Sequence, residues 1–356
     1  MAPPVSELDR DLRAMWKSAS TAREGAGGIY RAALCNLVTP VDPESHRRFA
    51  PTLVEVTRRH PSRLLLVEID HGETPRELSG EVAALCHLRP AGGYVCSEQI
   101  VLRGGAGAGP LVPSAVRSLL VGNLPLTLLD LRTGPTPAWV EEISERADLR
   151  LMDSANLPPG ADRRTLWMRI AEDEEARLRD LSWSCLAPWR EAVADAFDTS
   201  RLTPRLQDVG EITVEVGRDA PCGPGAPLLA GWIASRLRWS APRGTGGETR
   251  FRKPDGGTGV IRVARSGAPG RELLRLELVA RERGRLDVAM THAPGASVAT
   301  VEVRAPDPGR YEIPFAARDL VSLILTEMHR HRPNRVLGAA ARVAAEISLP
   351  DEGVAR

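Results

Sequence analysis

The sequence predicts an α/β domain over residues 1–178, with a mainly parallel sheet and an inserted antiparallel hairpin, then an α+β domain over 179–356 with an antiparallel sheet. Three observations predict it. Residues 32–38 and 64–69 are apolar runs of strand length with a helical segment between them, the pattern of parallel strands buried on both faces. Residues 81–88 and 94–102 flank Arg89-Pro90-Ala91-Gly92-Gly93, a natural hairpin loop. Residues 260–264, 273–281, 285–290 and 298–304 follow one another as successive strands.

In chain order, Val5, Leu8, Leu12, Met15 and Trp16 mark one face of a lead helix over 5–18. Asp42-Pro43 supplies an N-cap and a proline at the first helical position, and Phe49, Leu53, Val54 and Val56 continue that helix across a kink or restart at Pro51. A helix over 113–121, a strand at 126–131, a short helix at 137–146 and a strand at 149–152 keep the α/β rhythm, and a long charged helix is expected over 163–181. The second half opens with a strand at 212–216 and a helix at 228–239. Residues 241–259 are rich enough in glycine, proline and charge to predict a mobile loop. After the four strands, Ala317, Leu320, Val321, Ile324 and Met328 stripe a helix that Pro333 stops, and Asn334 can cap the next.

Lysine plus arginine (47) nearly balance aspartate plus glutamate (46), a net charge of +1 that gives no strong field toward nucleic acid or an anionic membrane. No apolar run nears the roughly 20 residues of a bilayer span, and Met1-Ala2-Pro3-Pro4 lacks signal-peptide character, so a cytoplasmic protein with neither nucleic-acid nor membrane partners is expected. Cys35, Cys86, Cys96, Cys185 and Cys222 are scattered and odd in number, which reads as mostly reduced thiols without a metal set.

Gly104-Gly105-Ala106-Gly107-Ala108-Gly109 follows a strand and precedes a helix, with Asp130 ending the next strand. Its glycines miss the dinucleotide spacing and Pro110 removes an amide, so a flexible loop stands against a phosphate cradle. A hairpin turning about Ala91 would set Cys86 opposite Cys96, either as two small buried side chains or as a redox pair. His60-Pro61-Ser62-Arg63 is a helix boundary, with an anion site as the alternative. No motif of a catalytic nucleophile or metal is present in the sequence. Trp183, Trp189 and Arg190 in one segment, and Trp232, Arg236 and Trp239 in another, are candidates for an interface between domains or with a partner. Gly231 and Ala234, with Ala230, offer small residues for close approach.

The segments His60-Pro61-Ser62-Arg63, Cys96-Ser97-Glu98-Gln99-Ile100, Asn123-Leu124-Pro125, Asp180-Leu181 with Trp183, Pro188-Trp189-Arg190, and 228–237 (LLAGWIASRL) together resemble the OpcA family. The resemblance covers about residues 29–240, with the closing helices beyond. It implies a non-catalytic protein without cofactor that binds glucose-6-phosphate dehydrogenase, helps it assemble or activates it, and so feeds NADPH production in the oxidative pentose phosphate pathway. In photosynthetic members the effect is tied to thioredoxin, a second implied partner. Cys185, Ser97 and Leu129-Asp130 depart from the family pattern, which weakens redox control more than the partner. The reading from another class is an NAD(P)-binding oxidoreductase using the 104–109 glycine loop.

Overall fold

Strands that are apolar on both faces need helices on both sides, and this requirement shapes the first half of the chain. The computed structural model describes residues 5–21, 28–72, 75–89, 92–133, 136–157, 161–200, 202–219, 225–243, 248–270, 272–281, 284–304, 308–316, 318–330 and 332–349. Two compact units form, one from Met1–Asn156 with Leu320–His331 and one from Leu157–Asp319 with Arg332–Arg356. The division falls at 156/157, where sequence spacing suggested 178/179, and a late segment returns to the first unit.

The first unit contains α1 (Val5–Thr21), β1 (Ile29–Arg31), β2 (Cys35–Val41), α2 (Pro43–Arg59), β3 (Ser62–Asp70), β4 (Ser79–Leu88), β5 (Tyr94–Gly105), α3 (Val112–Leu119), β6 (Leu126–Asp130), α4 (Ala138–Ser144) and β7 (Leu149–Met152). Its strands run in the order β1-β5-β3-β2-β6-β7, all parallel, and β4 adds to β5 antiparallel as the expected hairpin. Side chains alternate across a strand, so β3 feeds two layers. Leu65, Val67 and Ile69 join Ile100, Leu102 and Val38 beneath Leu8 and Leu12 of α1, Val116 of α3 and Trp139 of α4. Leu64 and Leu66 are buried by the same alternation, and α2 packs on β2 and β3 with Phe49, Leu53 and Val56 inward. Each such side chain stabilises the fold by roughly 1.5–3 kcal/mol on full burial.

Asp42 caps α2, accepting from the Ser45 amide at 2.8 Å, with Pro43 in the first turn. The helix runs through Pro51 without restarting; that proline lies on its exposed side. It ends at His60, whose N–H donates to the Val56 carbonyl at 2.8 Å before Pro61 forbids another turn.

The second unit contains α5 (Arg163–Glu172), β8 (Leu178–Asp180), α6 (Leu181–Cys185), α7 (Ala187–Phe197), β9 (Val209–Val216), α8 (Gly225–Arg236), β10 (Ser240–Arg243), β11 (Glu248–Arg252), β12 (Thr258–Arg265), β13 (Leu273–Ala280), β14 (Leu286–His292), β15 (Val298–Arg304) and β16 (Gly309–Pro314). After α9 (Leu320–Met328), which packs against α2 in the first unit, α10 (Arg335–Ala344) completes it. The long helix expected over 163–181 is instead two elements. Asp173 closes α5 and its carboxylate accepts from the Leu178 amide at 2.6 Å, while Ala176 takes a left-handed φ of 50° that turns the chain into β8.

The second sheet has the order β10-β11-β12-β9-β13-β14-β15-β16; β12 lies parallel to β9 and the remaining pairs are antiparallel. Much of the loop expected at 241–259 is therefore strand. Thr249 and Phe251 are buried while Arg250 and Arg252 are exposed, a period of two that outweighs the surrounding glycines. Along the outward face charges meet across strands: Arg262 contacts Glu211 at 3.1 Å and Glu248 at 2.9 Å. The inward face is buried and mainly apolar, including Ile212, Val214, Ile261, Leu276 and Val288, with Thr249 and His292 among them. Helix α8 packs on β9 and β12 and also on α10, so it is apolar on nearly every side. Among the described residues no helix is long and apolar enough to cross a membrane.

Candidate functional site

The tryptophan-bearing helices owe their course to local caps. Asp180 accepts from the Ser182 amide at 2.9 Å to start α6, Pro188 sits in the first turn of α7, and Arg238, at φ 57°, ends α8 and turns Trp239 inward. Trp183 is buried, with the Arg190 guanidinium 3.8 Å above its ring and a 2.6 Å hydrogen bond from Arg190 Nη1 to the Trp183 carbonyl. Trp189 is buried edge-on to Phe315 at 5.3 Å, and Phe315 stacks on His292 at 4.0 Å. Trp239 is buried beside Phe251 and lies so close to Gly259 that an added Cβ would approach its ring to 2.6 Å. These three rings pack inside the protein and are not on offer as surface anchors.

Trp232 and Arg236 stand apart from them. Trp232 is half-buried, Arg236 is exposed, and both line a cleft of about 410 Å³ between α7 and α8, closed by the 3-10 turn Thr203–Asp208. Val193, Phe197, Leu206, Ile233 and Leu237 make its floor. Asp195 and Asp198 rim it on α7 and beyond, Arg236 on α8, and none of the three forms an ion pair among the described residues. Burial raises the Tyr311 hydroxyl's pKa first, and the Asp195 charge adds to the rise. Sequence reasoning found Trp232 and Arg236 but missed the acids; the available signal was Asp195 and Asp198, spaced i and i+3 on an otherwise apolar helix end.

The glycine-rich run is no open loop. Strand β5 runs to Gly105, and a 3-10 helix spans Ala106–Leu111. A Cβ at Gly104 would come within 2.8 Å of the Ala108 Cβ, and one at Gly109 within 3.2 Å of Trp139, so these two glycines serve close packing. In this strand order the direction reverses between β2 and β6, where an α/β sheet places its ligand crevice. There the start of α2 is already occupied by the Asp42 carboxylate and by Pro43, an unfavourable setting for a phosphate.

In the hairpin, Cys86 pairs directly with Cys96 and the two sulfurs are bonded; Cys86 is exposed and Cys96 fully buried. The expectation of mostly reduced thiols therefore fails for this pair, because the register turning about Ala91 sets them face to face. Among the other described cysteines, Cys35 is buried and Cys185 exposed, and Cys222 lies outside the described residues. Among the described residues no three His, Cys, Asp or Glu side chains gather as a metal set.

His60, Ser62 and Arg63 do not converge on an anion. The Ser62 hydroxyl donates to the His60 carbonyl at 2.7 Å, and Arg63 is buried with Nε 2.7 Å from Glu98 Oε2. His60 Nδ1 lies 3.1 Å from Nε2 of His329, just past the end of α9, and burial first, then the neighbouring imidazole, lowers its pKa. A lowered histidine pKa means that the unfolded chain takes the proton first. The stabilisation is complete above the free-histidine value near about 6.5 and is lost as pH falls from there through the lower folded value. Melting curves at pH 7.5 and 5.5 are expected to show a larger acid loss for the native chain than for His60→Gln; equal losses would refute it.

Residues 54–168 match the family model for the glucose-6-phosphate dehydrogenase subunit N-terminal domain, and residues 176–341 match that for the subunit's C-terminal domain. The chain belongs to the OpcA family. The OxPP cycle protein OpcA of Nostoc punctiforme is 29% identical over 223 residues, covering 61% of this chain and 44% of that protein. The OpcA protein of Synechocystis is 26% identical over 192 residues, covering 52% and 39%. The chain thus spans less than half the length of these OpcA relatives. Among solved structures, myo-inositol dehydrogenase from Lactobacillus casei aligns over 88% of this chain and 93% of its own, at 10% identity and a TM-score of 0.47.

Proposed function

We infer that this OpcA-family chain acts in the oxidative pentose phosphate pathway as a non-catalytic cytoplasmic subunit that binds glucose-6-phosphate dehydrogenase and favours its active assembly. The observation that carries the reading is the match of both halves to domains named as subunits of that enzyme. Such a subunit needs no reacting groups. Binding one state of the enzyme about a hundredfold more tightly than another supplies about 2.7 kcal/mol of bias. The Cys86–Cys96 bond gives the reading a redox arm: exposed Cys86 is open to attack by an external dithiol such as thioredoxin, which would take up the oxidising equivalent and leave two thiols.

The test is a kinetic assay of the host's glucose-6-phosphate dehydrogenase, with and without this chain, in its oxidised form and after reduction by thioredoxin. Raised activity with the chain is expected, with a changed degree of activation after reduction. Unchanged activity in every arm would end the activator reading, and identical activation by both forms would end the redox arm alone.

A further inference from the structure

The cleft of the second unit has the features of a receptor groove. Two helices form its walls, its floor is apolar, and its rims differ in sign: Asp195 and Asp198 on one wall, Arg236 on the other. At about 410 Å³ it is large enough for a few anchoring side chains, while a whole helix would have to ride on the rims.

We propose that this cleft receives an amphipathic helix of the partner enzyme, its apolar stripe seated between Trp232, Phe197 and Leu206, with a basic residue facing Asp195 and Asp198 and an acidic one facing Arg236. The proposal rests on the reading of the chain as a dehydrogenase-binding subunit and names the surface that does the binding. Charge complementarity selects this occupant. A helix lying in a groove has an apolar stripe flanked on both sides by charged positions, and flanks of opposite sign fix its direction as they do beside a coiled-coil seam. An extended strand would need a sheet edge for its backbone, and the walls here are helical, with their backbone groups already paired within the helices. The three rim charges have no ion pair of their own to give up among the described residues. Half-buried Trp232 offers an anchor of the kind that dominates binding energy at the centre of interfaces.

The experiment titrates the host's glucose-6-phosphate dehydrogenase with the full chain and with Trp232→Ala, Arg236→Glu and Asp198→Lys. Arg304→Glu, on the outward face of the second sheet, serves as a control. Arg236 and Asp198 are exposed, so their reversals keep the fold even where Trp232→Ala does not, and far-ultraviolet circular dichroism verifies this. Trp232→Ala is expected to weaken binding at least tenfold, each rim reversal several-fold, and the control less than twofold. Native binding together with near-native binding by all three cleft variants would overturn the proposal and leave the subunit reading intact. No binding by the native chain would remove both. Cleft variants that bind the dehydrogenase normally but lose 8-anilinonaphthalene-1-sulfonate would assign the cleft to a small molecule and also overturn it.

Discussion

Gly231→Ala is expected to destabilise the second unit by about 3 kcal/mol, at the upper end of what one inserted methyl does in a packed core. The ideal Cβ at residue 231 would lie 2.5 Å from the Ala340 carbonyl oxygen and 2.9 Å from the Ala344 amide nitrogen. Both are backbone atoms of α10, so no side chain can swing away; the two helices must part, and buried residues such as Leu228, Ala234 and Leu337 lose contact with them. Gly338 in α10 gives the opposite sign. A Cβ there meets only the Ile170 carbonyl at 3.7 Å, ordinary contact, so Gly338→Ala should stabilise by about 0.5–1 kcal/mol through helix propensity. Denaturant midpoints of both variants check the pair. Equal and small shifts would mean that α8 and α10 do not approach so closely.

The other large effect lies in the first unit. Glu98→Gln is expected to cost about 3–5 kcal/mol, because it leaves a buried guanidinium without its counter-charge. Glu98 is 1% exposed; its Oε2 accepts from Arg63 Nε at 2.7 Å, and its Oε1 from Arg31 Nε at 2.8 Å and Trp16 Nε1 at 2.5 Å. Arg63 in turn donates Nη1 to the Leu119 carbonyl at 2.6 Å. One carboxylate thus ties α1, β1 and β3 to β5. Removing Arg31, whose side chain is 51% exposed, should cost less than about 1 kcal/mol, since water screens that arm. Urea unfolding of Glu98→Gln and Arg31→Ala separates the two cases. Similar losses would show that the buried arm is no stronger than the exposed one.

Glu98 also shows where sequence reading stops. In the strand pattern it reads as a break in an apolar face, and nothing local reveals that Trp16, Arg31 and Arg63 converge on it from three other elements. Where burial repeats at a fixed period the fold was legible: the run 64–69, the stripe of Leu8 and Leu12, and the hairpin that sets Cys86 against Cys96 all stand as their spacing implies. At 241–259 glycine and proline content masked the two-residue period of Thr249 and Phe251, and β16 carries only one buried residue, too few to register as a strand. The tryptophans were half legible. Large aromatics serve a core or a surface equally well in sequence, and only packing separates Trp183, Trp189 and Trp239 from Trp232. The spacing of Asp195 and Asp198 at the end of α7 was visible, but their meeting with Trp232 and Arg236 came through the fold of α7 against α8, a tertiary fact.

The central claim is that this OpcA-family chain works by docking. Light scattering coupled to size-exclusion chromatography, run on the chain, on the host's glucose-6-phosphate dehydrogenase and on their mixture, tests it most directly. A species heavier than either component, containing both polypeptides and absent when either is omitted, is the expected result. Two peaks at the masses of the separate proteins, at concentrations where the chain still alters the enzyme's activity, would contradict it.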